Sequence, residues 1–135
     1  MSYILDTTVI SALMRGEPTA SARLIATPPP EVAIPQPVVA ELEYGLARLP
    51  RSRRRRMLEE RWHVLLHSLG RVLWSDEVSR CFGNLKTKLE LRGARLGDFD
   101  LAIAAHAIAS NAVLVTDNLR HFQRIEGLRL ERWAE

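Results

Sequence analysis

Residues 3–8 read Tyr-Ile-Leu-Asp-Thr-Thr, a short apolar run that ends on the carboxylate of Asp6. A run of this kind is typical of a strand that is buried in a parallel sheet. Other acidic or amide side chains occupy similar places further along the chain, namely Glu41, Asp100, Asp117 and Asn118. Because the carboxyl ends of parallel strands meet at one crevice, we expect these groups to lie close together.

Carboxylates that gather in one crevice repel each other and resist the loss of water, so they persist mainly where a cation neutralises them. Mg²⁺ and Mn²⁺ take oxygen ligands, usually one or two carboxylates together with water and substrate phosphate. Cys81 is the only cysteine, so the chain has no cysteine cluster for a zinc site. The sequence therefore predicts an acidic pocket that holds one or two Mg²⁺ or Mn²⁺ ions.

An ordinary structural role stays open for each acid taken singly. An aspartate that follows a strand often caps the next helix, but Thr7 and Thr8 are expected to supply that cap, which would leave Asp6 free. Glu41 lies on a helix with both an apolar and a polar face, where Glu43 is the natural solvated residue. The joint placement of the acids at strand ends or helix starts is what favours a common site.

Length and composition are those of an ordinary globular protein. The chain has 135 residues, of which 47% are apolar and 26% charged, so we expect one domain over residues 1–135. The longest uncharged stretch, residues 101–115, is too short to span a bilayer. No export signal opens the chain, and Cys81 has no internal partner for a disulfide. Both observations favour a cytoplasmic location and no membrane partner.

Short apolar runs alternate with helical patterns along the whole chain. The predicted strands cover residues 3–6, 31–34, 71–74, 112–115 and 128–133. The predicted helices cover residues 9–14, 19–26, 37–49, 52–69, 76–91 and 98–110. This alternation predicts an α/β fold with three layers, α/β/α, around a central, mostly parallel sheet of four to five strands.

Seventeen of the nineteen basic residues are arginine. A guanidinium binds phosphate through a planar fork of donors, so this bias fits a polyanionic partner, although GC-rich coding would also produce it. Arg92, Arg95 and Arg120 lie next to acidic motifs and are candidate contacts to an RNA backbone. The four arginines at residues 53–56 fall in the first turn of a helix, where the macrodipole disfavours positive charge. Their presence there suggests a use by RNA or by an acidic partner.

Four short motifs follow one another along the chain. They read Ile-Leu-Asp-Thr-Thr-Val-Ile at residues 4–10, Val-Val-Ala-Glu-Leu-Glu-Tyr-Gly at 38–45, Gly-Asp-Phe-Asp-Leu-Ala-Ile-Ala-Ala-His-Ala at 97–107 and Leu-Val-Thr-Asp-Asn-Leu-Arg-His-Phe at 114–122. Together they resemble the motifs of PIN-domain nucleases, in particular the VapC-type toxins, and Leu-Glu-Arg-Trp at 130–133 is similar to the usual ending. The resemblance covers nearly the whole chain, and its strength lies in four motifs in the expected order.

The resemblance implies site residues for the first three motifs. Asp6, Glu41 and Asp100 match the metal-binding acids, and Asp100 is preferred over Asp98 because it stands three residues before Ile-Ala-Ala. Asp98 is then expected to cap the following helix, with metal binding as its alternative. Thr8 stands where the family usually carries Asn, and its hydroxyl can take over a hydrogen bond to Asp6.

The fourth motif leaves two candidates. The family acid falls on Asn118 when the motif is counted back from Phe122, whereas Asp117 is the actual carboxylate. An Asn at this place would accept or donate a hydrogen bond to metal-bound water but would supply no charge. Both residues therefore stay candidates for the fourth position.

The resemblance implies a Mg²⁺- or Mn²⁺-dependent endoribonuclease toxin of a type II toxin–antitoxin pair, which cleaves RNA with a metal-activated water. The expected substrate is a single-stranded loop, whose bases can splay into a shallow cleft. The resemblance also implies a homodimer and a cognate VapB-like antitoxin. An apolar stripe forms either a groove for an antitoxin segment or ordinary core, and comprises Leu42, Leu46, Leu58, Trp62, Leu65 and Leu69. The alternative function is a catalytically weak or inactive PIN-fold module that binds RNA or assembles with partners.

Overall fold

The structure is a computed structural model that describes residues 2–134. Its strands are β1 (Tyr3–Leu5), β2 (Val32–Pro35), β3 (Gly70–Val72), β4 (Val113–Val115) and β5 (Leu130–Glu131). Its helices are α1 (Thr7–Met14), α2 (Pro18–Ala26), α3 (Gln36–Ala47), α4 (Arg53–Ser68), α5 (Asp76–Leu91), α6 (Asp98–Ala109) and α7 (Leu119–Phe122). A 3-10 turn at Pro29–Glu31 leads into β2. The two ends of the expected domain, Met1 and Glu135, lie outside the described residues.

The five strands form one sheet in the order β3-β2-β1-β4-β5, and every neighbouring pair is parallel. The helices form the outer layers, which confirms the predicted three-layer α/β/α fold. The chain proceeds from β1 to β2 and β3 on one side and later adds β4 and β5 on the other. The strand order therefore reverses between β1 and β4, and ligands of open α/β sheets bind in the crevice at such a point.

Helix α6 is enclosed by its neighbours, because seven successive residues, 101–107, are all buried. It packs against α5, α3 and β4. Four of these seven residues are alanine, whose small side chains let the backbone of α6 approach the surrounding elements. Since α6 leads into the parallel strand β4, its first turn lies at the edge of the sheet where the strands end. Within residues 2–134, no helix has the length and apolar character needed to cross a membrane.

The starts of two helices differ from the sequence prediction. Helix α1 has Asp6 as its N-cap, and the carboxylate accepts a hydrogen bond from the Thr7 amide, so the expected cap by Thr7 or Thr8 is wrong. Helix α6 has Gly97 as its N-cap and Asp98 as its first helical residue, so the expected cap by Asp98 is also wrong. A carboxylate in the first turn still interacts favourably with the helix dipole. An acid at the N-cap and an acid in the first turn therefore look alike in the sequence.

Helix α4 turns part of its apolar stripe inward. Trp62, Leu65 and Leu69 are buried in the main core, and the Trp62 indole N–H donates a hydrogen bond to the Glu43 carboxylate on α3. Trp62 and Leu65 thus follow the core alternative for the stripe, and a contact of either side chain with an antitoxin stays a prediction. Leu42 and Leu46 are buried as well, whereas Leu58 is only partly buried.

The burial of α4 predicts a large difference between two substitutions on the same helix. Trp62→Ala should lower the free energy of unfolding by about 3–5 kcal/mol, because it leaves a cavity and a Glu43 carboxylate without its donor. Val64→Ala should change it by less than about 0.5 kcal/mol, because Val64 is 64% exposed. Urea unfolding of both variants gives the comparison. A small loss for Trp62→Ala would contradict the assignment of Trp62 to the core.

Candidate active site

The carboxyl ends of β1 and β4 lie side by side where the strand order reverses. Asp6 follows β1 directly, Glu41 lies in the second turn of α3, and Asp100 lies in the first turn of α6. The charge of Asp100 acts on both Asp6 and Glu41, and the charge of Asp6 acts on Glu41. The structure thus brings the three acids of the sequence prediction into one crevice.

Asp6 is only 4% exposed, and both of its carboxylate oxygens are hydrogen-bonded. Oδ1 accepts from the Thr7 amide at 2.8 Å, and Oδ2 accepts from the hydroxyls of Thr8 at 3.1 Å and Thr116 at 2.7 Å. The expected hydrogen bond from Thr8 is therefore confirmed. Burial raises the pKa of Asp6, the charge of Asp100 raises it further, and the three hydrogen bonds act in the opposite direction.

Thr7 joins Asp6 to Glu41, because its amide donates to Asp6 and its hydroxyl donates to Glu41 Oε1 at 2.5 Å. Burial raises the pKa of Glu41, and the charges of Asp100 and Asp6 raise it further, while the hydrogen bond from Thr7 lowers it. Sequence reasoning missed this role for Thr7. The two partners are 34 positions apart, and nothing in the local sequence indicates which acid the hydroxyl reaches.

His121 contacts the third acid. Its Nε2 lies 2.8 Å from Asp100 Oδ2, and its Nδ1 lies 3.4 Å from Arg124 Nη2. Because a guanidinium only donates, the pattern fits an imidazole that accepts at Nδ1 and donates from Nε2 to Asp100. Arg124 also donates from Nη1 to the carbonyl oxygen of Arg95 at 3.0 Å. Neither His121 nor Arg124 was singled out from the sequence, where the only available signal was the place of His121 in the fourth motif.

Asp98 takes no part in this cluster. It is exposed, and its Oδ1 lies 3.1 Å from the Lys86 ammonium on α5. Asp100, two residues further along α6, is instead near enough to Asp6 and Glu41 for its charge to raise the pKa of both. The alternative of Asp98 as a metal-binding residue has no support in this arrangement.

Asp117 and Asn118 are both held near Asp6 through their backbones. The Asp117 amide donates to the Thr8 hydroxyl at 3.1 Å, and the Asn118 amide donates to the Thr116 hydroxyl at 3.0 Å. Asn118 is exposed, whereas Asp117 Oδ1 is buried and has no hydrogen-bond partner within residues 2–134. A buried carboxylate oxygen without a donor is costly. Asp117 is therefore the stronger candidate for the fourth position, and the choice between the two stays a prediction.

The chemistry of the donor set fits a hard divalent cation. Within residues 2–134, Glu41 Oε2, Asp100 Oδ1 and Asp117 Oδ1 have no hydrogen-bond donor. Carboxylate oxygens are the ligands that Mg²⁺ and Mn²⁺ prefer, and a cation would offset the effects that raise the pKa of Asp6 and Glu41. In this described part of the chain, no three His, Cys, Asp or Glu side chains converge into a ready coordination group. The residues supply suitable ligands without forming a complete coordination sphere.

The three arginines predicted to contact RNA differ in their surroundings. Arg92 donates to the carbonyl oxygen of Arg124 at 2.7 Å and lies 3.6 Å from the Glu126 carboxylate, so its guanidinium holds the loop after α7. Arg95 and Arg120 are exposed, and their guanidiniums have no partner among residues 2–134. Arg95 and Arg120 are thus the more available of the three, and their contact with RNA stays a prediction.

A groove of about 400 Å³ extends from the crevice along α1, α3 and the start of α4. Thr7 and Glu41 line the groove at the end that joins the crevice. Leu42, Leu46 and Leu58 contribute apolar surface further along it. Of the side chains predicted to contact an antitoxin, these three line the groove, whereas Trp62 and Leu65 are not among its lining residues.

The fold, the acidic crevice and the order of the motifs agree with a known family. The family model described as PIN domain matches residues 3–128. This chain belongs to the PIN domain family. Ribonuclease VapC2 of Rickettsia felis is 35% identical over 136 residues, which cover 98% of each protein. The predicted membership in the VapC-type group of PIN-domain proteins is thereby confirmed.

Two further comparisons extend the likeness of this VapC-type chain. The tRNA(fMet)-specific endonuclease VapC of Shigella flexneri is 27% identical over 137 residues, which cover 99% of each protein. The solved structure of VapBC2 from Rickettsia felis, bound to a DNA fragment from its promoter, matches with a TM-score of 0.86 and 34% identity. The match covers 98% of this chain and 99% of that chain. The likeness therefore extends over the whole PIN domain.

The raised pKa of Asp6 predicts that its charge destabilises the fold when no metal is present. Asp6→Asn removes the charge and keeps a good N-cap, so the unfolding temperature at neutral pH should rise in a chelating buffer. For a carboxyl group whose folded-state pKa is raised, the penalty is present above that pKa and fades as pH falls through it toward the ordinary value of 3.8. The gain should therefore shrink as pH is lowered.

Asp76→Asn is the matched control, because Asp76 is an exposed acid in the first turn of α5, where the helix dipole favours negative charge. This variant should not gain stability at neutral pH. Thermal unfolding of both variants over a pH series gives the result. A fall in the unfolding temperature of Asp6→Asn at neutral pH would contradict the electrostatic account of Asp6.

Proposed function

We propose that this VapC-type chain is a Mg²⁺- or Mn²⁺-dependent endoribonuclease and the toxin of a type II toxin–antitoxin pair. The observation that carries the proposal is the placement of Asp6, Glu41 and Asp100 beside the point where the strand order reverses, near enough for the charge of Asp100 to act on the other two. The names of the relatives, a ribonuclease and a tRNA-specific endonuclease, support RNA as the substrate. The oxygen-rich donor set supports the dependence on a hard cation.

Asp6, Glu41 and Asp100 would hold the ion or ions, and Asp117 or Asn118 would complete the site. A bound divalent ion would supply an activated water and offset the charge of the phosphoryl group. The chain's own part is to place these carboxylates. Thr7, bonded to both Asp6 and Glu41, sets their spacing.

Hydroxyl groups restrain the buried carboxylate from two further sides. The Thr8 and Thr116 hydroxyls each donate to Asp6 Oδ2 and each accept from a backbone amide, so their directions are fixed. His121 occupies Oδ2 of Asp100 and leaves Oδ1 without a donor in the described chain. Some carboxylate oxygens are thus fixed by hydrogen bonds, and others stay free to bind an ion. This arrangement would preorganise the site and lower the free-energy cost of orienting the ligands during the reaction.

We propose a VapB-like antitoxin as the partner and a homodimer as the toxin's assembly. The likeness to VapBC2 of Rickettsia felis supports the antitoxin. Leu42, Leu46 and Leu58 remain candidate contacts, because they line the open groove beside Glu41.

The assignment of the third acid predicts opposite results for neighbouring residues of α6. Asp100→Asn should lower the rate of cleavage of a single-stranded loop RNA by roughly 100-fold or more, since it removes a charged ligand. Asp98→Asn is the matched control and should stay within about twofold, because Asp98 is exposed and forms a surface ion pair with Lys86. Rates should be measured over a series of Mn²⁺ concentrations, with circular dichroism as the check on folding.

Each other outcome of this assay has a definite meaning. An equal loss for Asp98→Asn would show that the assignment of the third acid is wrong. Full activity of Asp100→Asn would contradict the metal site. Tight RNA binding by the unsubstituted chain without cleavage at any Mn²⁺ concentration would favour the alternative of a non-catalytic RNA-binding module.

The fourth motif predicts a difference in metal requirement. Asp117→Asn should raise the Mn²⁺ concentration for half-maximal cleavage severalfold, because it removes the charge of a carboxylate whose buried Oδ1 has no donor within residues 2–134. Asn118→Asp should change it little, because the Asn118 side chain is exposed. Titration of the cleavage rate with Mn²⁺ tests both variants. The reverse pattern would assign the fourth position to residue 118.

A further inference from the structure

We infer that the groove beside Glu41 is a subsite for single-stranded RNA, in which Tyr44 stacks on a nucleobase and Arg15 and Arg54 bind the adjacent phosphates. The groove measures about 400 Å³ and joins the catalytic crevice, because Thr7 and Glu41 belong to both. The inference rests on the proposed ribonuclease function and adds the surface that holds the substrate next to the acids.

Two helix faces form the walls of this groove. Its lining residues on α3 include Glu41, Tyr44 and Gly45, and those on α1 are Thr7, Ser11 and Met14. Arg48 and Arg15 follow directly after the ends of these two helices. Residues spaced three or four apart share one face of a helix. Both walls therefore lead away from the crevice for about two turns, or roughly 10 Å at the rise of an α-helix. A strand that leaves the crevice along this path passes Tyr44 first and the arginines next.

Tyr44 has the properties of a stacking platform. Its side chain is 67% exposed, and the Arg48 guanidinium lies 5.6 Å from the ring centroid. The Arg48 cation holds the Tyr44 ring from one face, and the rest of the exposed ring is free to stack on a nucleobase. Stacking on an aromatic ring accepts every base, which suits a subsite that holds RNA without selecting its sequence.

The charge of the groove complements a phosphate chain. Arg15, Arg48 and Arg54 belong to its lining. Arg54 is also part of the arginine run 53–56, in which only Arg55 forms an ion pair within residues 2–134, with Glu59 at 3.3 Å. An acidic crevice repels phosphate unless cations surround it, and these guanidiniums supply them on the side of Glu41. The direct connection to the carboxylate crevice favours RNA as the occupant in the absence of the antitoxin, whose proposed apolar contacts lie in the same groove.

The groove is open at Gly45, where no heavy atom lies within 4 Å of the place that a Cβ would occupy. Gly45→Leu would therefore start a side chain at an open position of the groove and would improve the helix propensity of α3. This variant blocks the groove while leaving every proposed RNA contact in the chain. It should weaken RNA binding even though Tyr44 and all arginines remain.

The test measures binding of a single-stranded oligoribonucleotide that carries 2-aminopurine, in a chelating buffer without divalent ions. Tyr44→Ala should weaken binding roughly 5- to 140-fold and abolish the quenching of 2-aminopurine, whereas Tyr44→Phe should retain both. The double variant Arg15→Gln with Arg54→Gln should reduce the slope of log affinity against log salt by about 1.4. Arg80→Gln, at an exposed arginine of α5, should leave the slope unchanged.

Cleavage of the same oligonucleotide with Mn²⁺ is measured separately, so the two proposals fail in different ways. RNA that binds in the groove and is not cut would contradict the proposed function and would support the subsite. Unchanged affinity and salt slope in folded Tyr44→Ala, Gly45→Leu and the double arginine variant would overturn the subsite. Loss of antitoxin binding by these variants, with RNA binding intact, would also overturn it and would assign the groove to the protein partner.

Discussion

The hydrogen-bonded carboxylate of Asp6 is the interaction on which the site depends. Its Oδ1 caps α1 through the Thr7 amide, and its Oδ2 binds the hydroxyls of Thr8 and Thr116. Its own amide donates to the carbonyl oxygen of Val115 at 2.9 Å, which joins the ends of β1 and β4. The backbone and side chain of one residue therefore contribute to the start of a helix, the edge of the sheet and the geometry of the crevice.

This arrangement has an electrostatic cost that explains the surroundings of the site. Burial and the neighbouring Asp100 raise the pKa of Asp6, so the native fold concentrates negative charge where it is disfavoured. Two sources of positive charge can offset it, a divalent ion among the carboxylates and the arginines outside them. The chain has a net charge of +3 and exposed arginines on α4, and Arg15 and Arg54 line the groove beside Glu41. A negative centre within a positive margin is the arrangement that a metal-dependent enzyme needs to bind a phosphate chain.

Periodicity predicted most of the fold, and strand-end chemistry together with the resemblance to PIN-domain motifs selected the three acids as candidates. The strand β1 and the burial of α6 follow from apolar patterns that only a covered parallel sheet satisfies. The contacts that complete the site could not be predicted, because they join distant positions, such as Thr7 with Glu41 and His121 with Asp100, which is 21 positions away.

Open alternatives and errors arose where one sequence pattern fits two structures. The apolar stripe of α4 fits both a core and a partner's groove, and only packing shows that Trp62 is enclosed. An acid at the start of a helix fits both a cap and a first-turn residue. Asp98 proved to be the second of these, while Asp6, which was expected to be free, is the cap. In both cases the sequence defines the chemistry of a side chain and leaves its direction open.

Mn²⁺ binding to the free protein tests the central claim most directly, because it needs neither RNA nor an antitoxin. An ion that binds only the folded state raises the unfolding temperature in proportion to the logarithm of its concentration above Kd. The unsubstituted chain should show this rise, and Asp6→Asn, although more stable without metal, should show little or none. An equal rise of the unfolding temperature in both proteins, or no rise in either protein at any Mn²⁺ concentration, would contradict the account of the crevice as a divalent-metal site.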